Sequence, residues 1–274
     1  MPLVFNVNYS PTFPLDAQVA FQRACNTWSG ILNSDVPVRV EAFWDVNIGH
    51  NLTAMAVPNA VQNFRLAPVC STWFTSPLAD KLARNDLQPG QVDIAVFFDS
   101  VNFQWYTGDQ QPQPNQYDLQ SISLHELCHG LGFISLFWAE GDNPTIGSYG
   151  NDALLASIPA TVTQLLPFQL PAGLQNHPSI YGVHIEVNGN YLTDPAHYLN
   201  PSPLLGAALI HDPLVFDQNQ YRVYVTDPFL PFTSIEHLDP NIFPDSLMRP
   251  SIGPGEVVRV VDQPVRNILN SLGW

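Results

Sequence analysis

Two histidines and a glutamate carry the clearest chemistry in this chain. In Ser123-Leu124-His125-Glu126-Leu127-Cys128-His129-Gly130-Leu131-Gly132-Phe133, His125 and His129 stand four residues apart with Glu126 between them. On a helix, positions i and i+4 lie one above the other, so both imidazoles would face the same way. Two neutral imidazoles so placed can grip one metal ion, most often zinc. Glu126, on the flank of that face, is placed to take a proton from a water held by the metal. Leu124, Leu127, Cys128 and Leu131 recur at i, i+3, i+4 and i+7, an apolar back for the helix to bury. Cys128 belongs to that back, as core rather than ligand. Gly130 and Gly132 weaken the helix directly after the second histidine. The same string also arises by chance on amphipathic helices of unrelated chains.

Two histidines and a water leave a zinc site one protein ligand short. The competitors for that place are His50, His177, His184, His197, His211 and His237, with Glu140 and Asp142 as acidic alternatives. Glu140 and Asp142 follow His129 too soon for a second helix to present them. His184 alternates with apolar residues, as a core or surface residue of a strand does. His177, His197 and His211 sit beside prolines in loops.

In the metzincin pattern a third histidine follows the glycine by three residues, a place held here by Ser135. Far downstream, Ser234-Ile235-Glu236-His237-Leu238-Asp239 is followed by Asp245-Ser246-Leu247-Met248-Arg249-Pro250. A histidine and then a methionine in a tight, proline-bounded turn resembles the metzincin third ligand and Met-turn. The long insertion before that histidine resembles the leishmanolysin-like branch and secreted bacterial metalloproteases. The resemblance implies a zinc endopeptidase in which His125, His129 and His237 bind Zn2+ and Glu126 is the general base. It further implies Met248 as an apolar floor beneath the metal, an edge strand pairing with extended peptide, and a protein or peptide substrate. Two other readings stay open: a secreted binding module with a structural metal, and a metal-dependent hydrolase of a non-peptide substrate.

The helix needs a scaffold, and the first hundred residues offer one. Leu3, Phe5, Val7 and Tyr9 alternate as in a strand. Asp16 is expected to cap a helix running to about Leu32, with Ala20, Ala24, Thr27, Trp28 and Ile31 as its buried stripe and Gly30 fraying its end. Pro37 to Val46 alternates again. Ser76-Pro77 predicts a short helix to about Asn85 with Ser76 as cap. Val92 to Phe98 is apolar enough for an inner strand, and Phe97 to Ser100 is a candidate for the neighbourhood of the substrate edge. The order strand, helix, strand, helix, strand, metal helix predicts an α+β fold, a twisted mixed sheet backed by helices.

Asn102 to Asp118 predicts a loop ending in Asp118 as the cap of the metal helix. From Ile134 to Ile235 prolines interrupt a weakly periodic insertion, expected to shape the rim of a cleft. Within it, Asp152 to Ile158 predicts a turn or two of helix, and Leu204 to Ile210 is short and apolar. Tyr181 to Val187 and Asn190 to Thr193 predict a hairpin through a type I′ turn at Asn188-Gly189. Val261, Val265, Ile268, Leu269 and Leu272 share one face of a final helix stopped by Gly273. One catalytic domain over 1–274 is expected, with subdomains 1–133 and 134–274.

Nine Lys+Arg against 24 Asp+Glu leave a formal charge of −15, which argues against nucleic acid and anionic membranes as partners. No apolar run approaches the roughly 20 residues a membrane span needs. With no leader visible ahead of the first strand, a leader or pro-segment is expected to have been removed, and the chain is expected to act outside the cell as a monomer. Three cysteines, Cys25, Cys70 and Cys128, leave at least one unpaired and allow a Cys25–Cys70 bridge.

Overall fold

The computed structural model describes every residue except His50, Asn143, Gln218 and Asn219. The candidacy of His50 as a ligand therefore lies outside the described residues. The first half runs β1 (Phe5–Tyr9), α1 (Leu15–Ser29), β2 (Val38–Phe43), β3 (Ala54–Pro58), β4 (Ala60–Gln62) and β5 (Trp73–Thr75). It continues with α2 (Ser76–Ala83), β6 (Ile94–Phe98), β7 (Trp105–Tyr106), β8 (Tyr117–Asp118) and α3 (Leu119–Gly130). The second half holds β9 (Phe137–Glu140), β10 (Ile146–Tyr149), α4 (Asp152–Ala156), α5 (Ala160–Thr163), β11 (Ile185–Val187) and β12 (Asn190–Tyr191). It closes with α6 (Pro203–His211), β13 (Val215–Phe216), β14 (Tyr221–Arg222) and α7 (Gln263–Leu272). Helices and several small sheets thus mix as an α+β fold. Among the described residues no helix is long and apolar enough to cross a membrane.

The main sheet has the order β1-β2-β6-β3, with β1, β2 and β6 parallel and β3 antiparallel to β6. One face meets α1 and α3 through Val40, Ala42, Val96 and Phe98. The other face, through Met55, Val57, Ala95 and Phe97, is covered by Val162 and Phe168 from the insertion. Burial on both faces explains why β6 reads as an unbroken apolar run. Phe97 and Phe98 lie on the inner strand β6, beside β3, which with β1 forms the edges of this sheet. Ala54, Met55 and Ala56 lack the β-branched signature of a strand, so pairing with β6 makes one where local preference does not.

Two caps differ from expectation. Pro14, not Asp16, holds the cap position of α1, and Asp16 sits in the first turn, where its Oδ1 accepts from the Ala17 N–H at 3.0 Å. The stripe α1 buries is Ala17, Ala20, Phe21, Ala24, Cys25 and Trp28, with Thr27 and Ile31 only half-buried. Thr75 precedes α2, while Ser76 is its first residue and donates to Gln88 Oε1 at 2.8 Å. The hairpin forms with Asn188 at φ 52° and Gly189 at φ 79°, as a type I′ turn requires, though its strands are shorter than predicted. The larger of two hydrophobic clusters, from Leu3 to Leu272, draws on both halves of the chain.

Asp80 and Asp93 are both buried. Asp93 Oδ2 accepts from the Arg39 N–H at 2.7 Å, and Asp80 Oδ1 from the Leu87 N–H at 2.9 Å. The Arg39 guanidinium pairs instead with Asp86 at 2.6 Å. Burial pushes the Asp93 carboxyl up to about 7 and that of Asp80 to about 6. Between pH 4 and 7 the unfolded chain releases protons that the folded chain keeps, so these groups lower stability as pH rises. Asp93→Asn, which keeps the bond to Arg39, is expected to flatten that slope in thermal unfolding scans. A slope identical to the wild type would mean that Asp93 is ionised in the fold.

Candidate metal centre

α3 is buried around its whole circumference, all 12 residues, and so depends on its caps and neighbours rather than on solvated faces. Asp118 caps it as predicted, its Oδ2 accepting from the Ser121 N–H at 3.0 Å. Arg259 forks onto the same carboxylate, its Nε 2.9 Å from Oδ2, and ties in the carbonyls of Gly108 and Gln110. On the other side, the Trp28 indole of α1 donates to the Leu124 carbonyl at 3.1 Å. The helix that carries the histidines is thus clamped from both ends of the sequence.

His125 and His129 leave α3 on one face, with their Nε2 atoms 3.1 Å apart. His237 arrives from the far end of the insertion and sets its Nε2 3.2 Å from that of His125, the two rings stacked at 16°. Nitrogens sharing a tetrahedral zinc at about 2.05 Å would sit roughly 3.3 Å apart, so the spacing suits one ion. Three buried histidines therefore lie close enough to hold a metal. Among the described residues no other His, Cys, Asp or Glu joins the group.

Each ring is aimed by its second nitrogen. His125 Nδ1 meets the Leu247 carbonyl at 2.8 Å, His129 Nδ1 that of Phe133 at 2.7 Å, and His237 Nδ1 that of Thr233 at 2.9 Å. A carbonyl can only accept, so each Nδ1 carries the proton and each Nε2 offers a lone pair. Burial favours the uncharged rings: it brings His125 down to about 4, His237 to about 3, and His129 well below the ordinary histidine range. Neutral imidazoles are the form a metal needs.

Local backbone explains these aims. Gly132 adopts φ +127°, a conformation side chains resist, and the turn it allows returns the Phe133 carbonyl to His129. Ile235, ahead of His237, is held at φ +71°, rare for a β-branched residue. Its N–H donates to Tyr224 O at 2.7 Å and its carbonyl accepts from the Tyr181 hydroxyl at 2.9 Å. Leu247 and Met248 form the turn beneath His125. Asp262, the cap of α7, accepts from the Leu247 N–H at 2.8 Å and the Ser246 hydroxyl at 3.1 Å. Met248 itself is fully buried.

Glu126 lies beside the three rings on the wall of a cavity of about 300 Å³. Burial pushes its carboxyl up to about 8, opposed by a hydrogen bond from the backbone of Ala56 on the edge strand. The insertion supplies much of the remaining wall, including Leu154, Leu155, Leu174 and Ile180.

The other candidates stand elsewhere. His177 bonds Gln62 Oε1 at 2.8 Å, His184 stacks on Phe216, and His197 and His211 lie near Asp194 and Asp227. Glu140 accepts from the Trp138 indole at 3.1 Å, and both it and Asp142 are exposed. Cys25 and Cys128 are buried and Cys70 is exposed, all unpaired, so the Cys25–Cys70 bridge is not formed. Sequence reasoning missed Ala56, because its strand carries no strand signal, and Glu236, which no spacing rule singles out. The chain matches no protein-family model, no curated protein and no solved structure.

Proposed function

We propose that the protein is a zinc-dependent endopeptidase. The observation that carries this reading is a three-histidine group with no fourth protein ligand among the described residues and a buried glutamate beside it. A structural zinc site is normally closed by four protein ligands, whereas a catalytic one keeps a position free. His125, His129 and His237 would hold the ion, with Met248 in the turn below as its apolar floor. Zinc, when bound, would polarise the scissile carbonyl and make a water nucleophilic near neutral pH.

The chain's own residues do the rest. Glu126 Oε accepts the proton of the attacking water and delivers it to the leaving amine. The side of β3 away from β6 pairs with no other strand among the described residues and runs along the cavity, where an extended peptide would add as a further strand. The peptide substrate and action outside the cell rest on the resemblance of the two motifs to metzincins.

Casein cleavage tests the proposal. Zinc-loaded protein is expected to cleave it, to stop on treatment with a chelator, and to resume on adding zinc back. Cleavage indifferent to the chelator would overturn the reading.

A further inference from the structure

A second acidic side chain lies on the wall of the same cavity. Glu236 is 5% exposed and accepts from the Ser135 hydroxyl at 3.4 Å, with the Ser135 backbone as a further donor. A carboxyl group offers more hydrogen-bonding positions than one serine fills. No lysine or arginine lines the cavity, and none pairs with Glu236 among the described residues. Elsewhere the cavity wall is largely hydrocarbon, with Leu154, Leu155, Leu174 and Ile180 among its lining. A buried carboxyl is costly unless donors reach it.

The wall as a whole describes its occupant: a side chain with an apolar stem and a cationic tip. Lysine and arginine have that form, burying their methylenes while the head finds a charge. The chain's formal charge of −15 would steer such substrates toward it. We propose that Glu236 is a specificity-determining residue that selects a lysine or arginine side chain adjacent to the scissile bond. This deepens the peptidase reading and rests on it.

A peptide library randomised on both sides of the cleaved bond, digested by the zinc-loaded protein and read by mass spectrometry, tests it. Lys and Arg are expected to be enriched roughly tenfold or more over norleucine at one flanking position, the effect of one charge-assisted hydrogen bond. In Glu236→Gln that ratio is expected to collapse toward unity while zinc content and melting temperature hold. If the glutamine variant does not fold, Glu236→Met is read by the same ratio.

Cleavage without basic enrichment, or enrichment that survives both substitutions, overturns the assignment and leaves the peptidase standing. No cleavage of any member sinks the peptidase reading instead. The pocket is then judged by fluorescence anisotropy, comparing an arginine peptide with its norleucine counterpart. Preferential binding of the arginine peptide that disappears in Glu236→Gln sustains the pocket, and equal binding removes it.

Discussion

Glu126→Ala is expected to keep its metal and lose turnover by roughly 10²–10⁴-fold, the usual contribution of a positioned acid–base group. The two halves of that result come from different parts of the site. Metal content depends on three imidazole nitrogens that Glu126 does not join. Their aims are set by the carbonyls of Leu247, Phe133 and Thr233, none of which Glu126 touches. Turnover depends on a carboxyl able to move a proton, and alanine has none. Zinc per chain, measured by elemental analysis, should match the wild type while casein cleavage nearly vanishes. Equal activity would remove Glu126 from the mechanism. Loss of metal along with activity would make Glu126 part of the binding site.

His237→Ala tests the other half. His237 is separated from His129 by the entire insertion and reaches the group only if that long segment folds as described. Structural zinc sites bind with about 10–16 kcal/mol, so one ligand in four accounts for about 3 kcal/mol, a loss of roughly 10²–10³-fold in affinity. Competition against a chromogenic chelator reads this directly. Because burial holds the ring neutral down to about pH 3, the deficit should persist across the neutral range rather than open at one pH. Unchanged affinity would move the third ligand to another residue.

Much of the site was legible because it is local. Spacing alone pairs His125 with His129, and the apolar back of α3 and the Asp118 cap are visible in a single turn of helix. His237 was reachable only through a resemblance, since nothing in spacing joins residues more than a hundred positions apart. The edge strand was not legible: Ala54, Met55 and Ala56 favour no strand by themselves, and β6 imposes one through pairing. The same holds for the cavity wall. Leu154, Leu155, Leu174 and Ile180 come from short segments between prolines, and only their convergence in space makes a surface. The helix caps misread at Asp16 and Ser76 were displaced by one or two residues, the usual ambiguity where several small polar residues adjoin a proline.

The carbonyls that aim the three rings belong to the main chain, and this bears on how the centre would age. A histidine oriented by a carboxylate side chain can be misdirected by one substitution in that partner. Here the oriented hydrogen bonds end on residues 133, 233 and 247, whose carbonyls survive almost any replacement of their side chains. Drift at Thr233 or Leu247 that preserves the backbone path would leave the orientation of the three rings intact. The heritable information for ring orientation is therefore spread through the loop conformations, with Gly132 and Ile235 as their tightest points. Lineages of this chain could exchange much of the cleft's surface chemistry without rebuilding the centre.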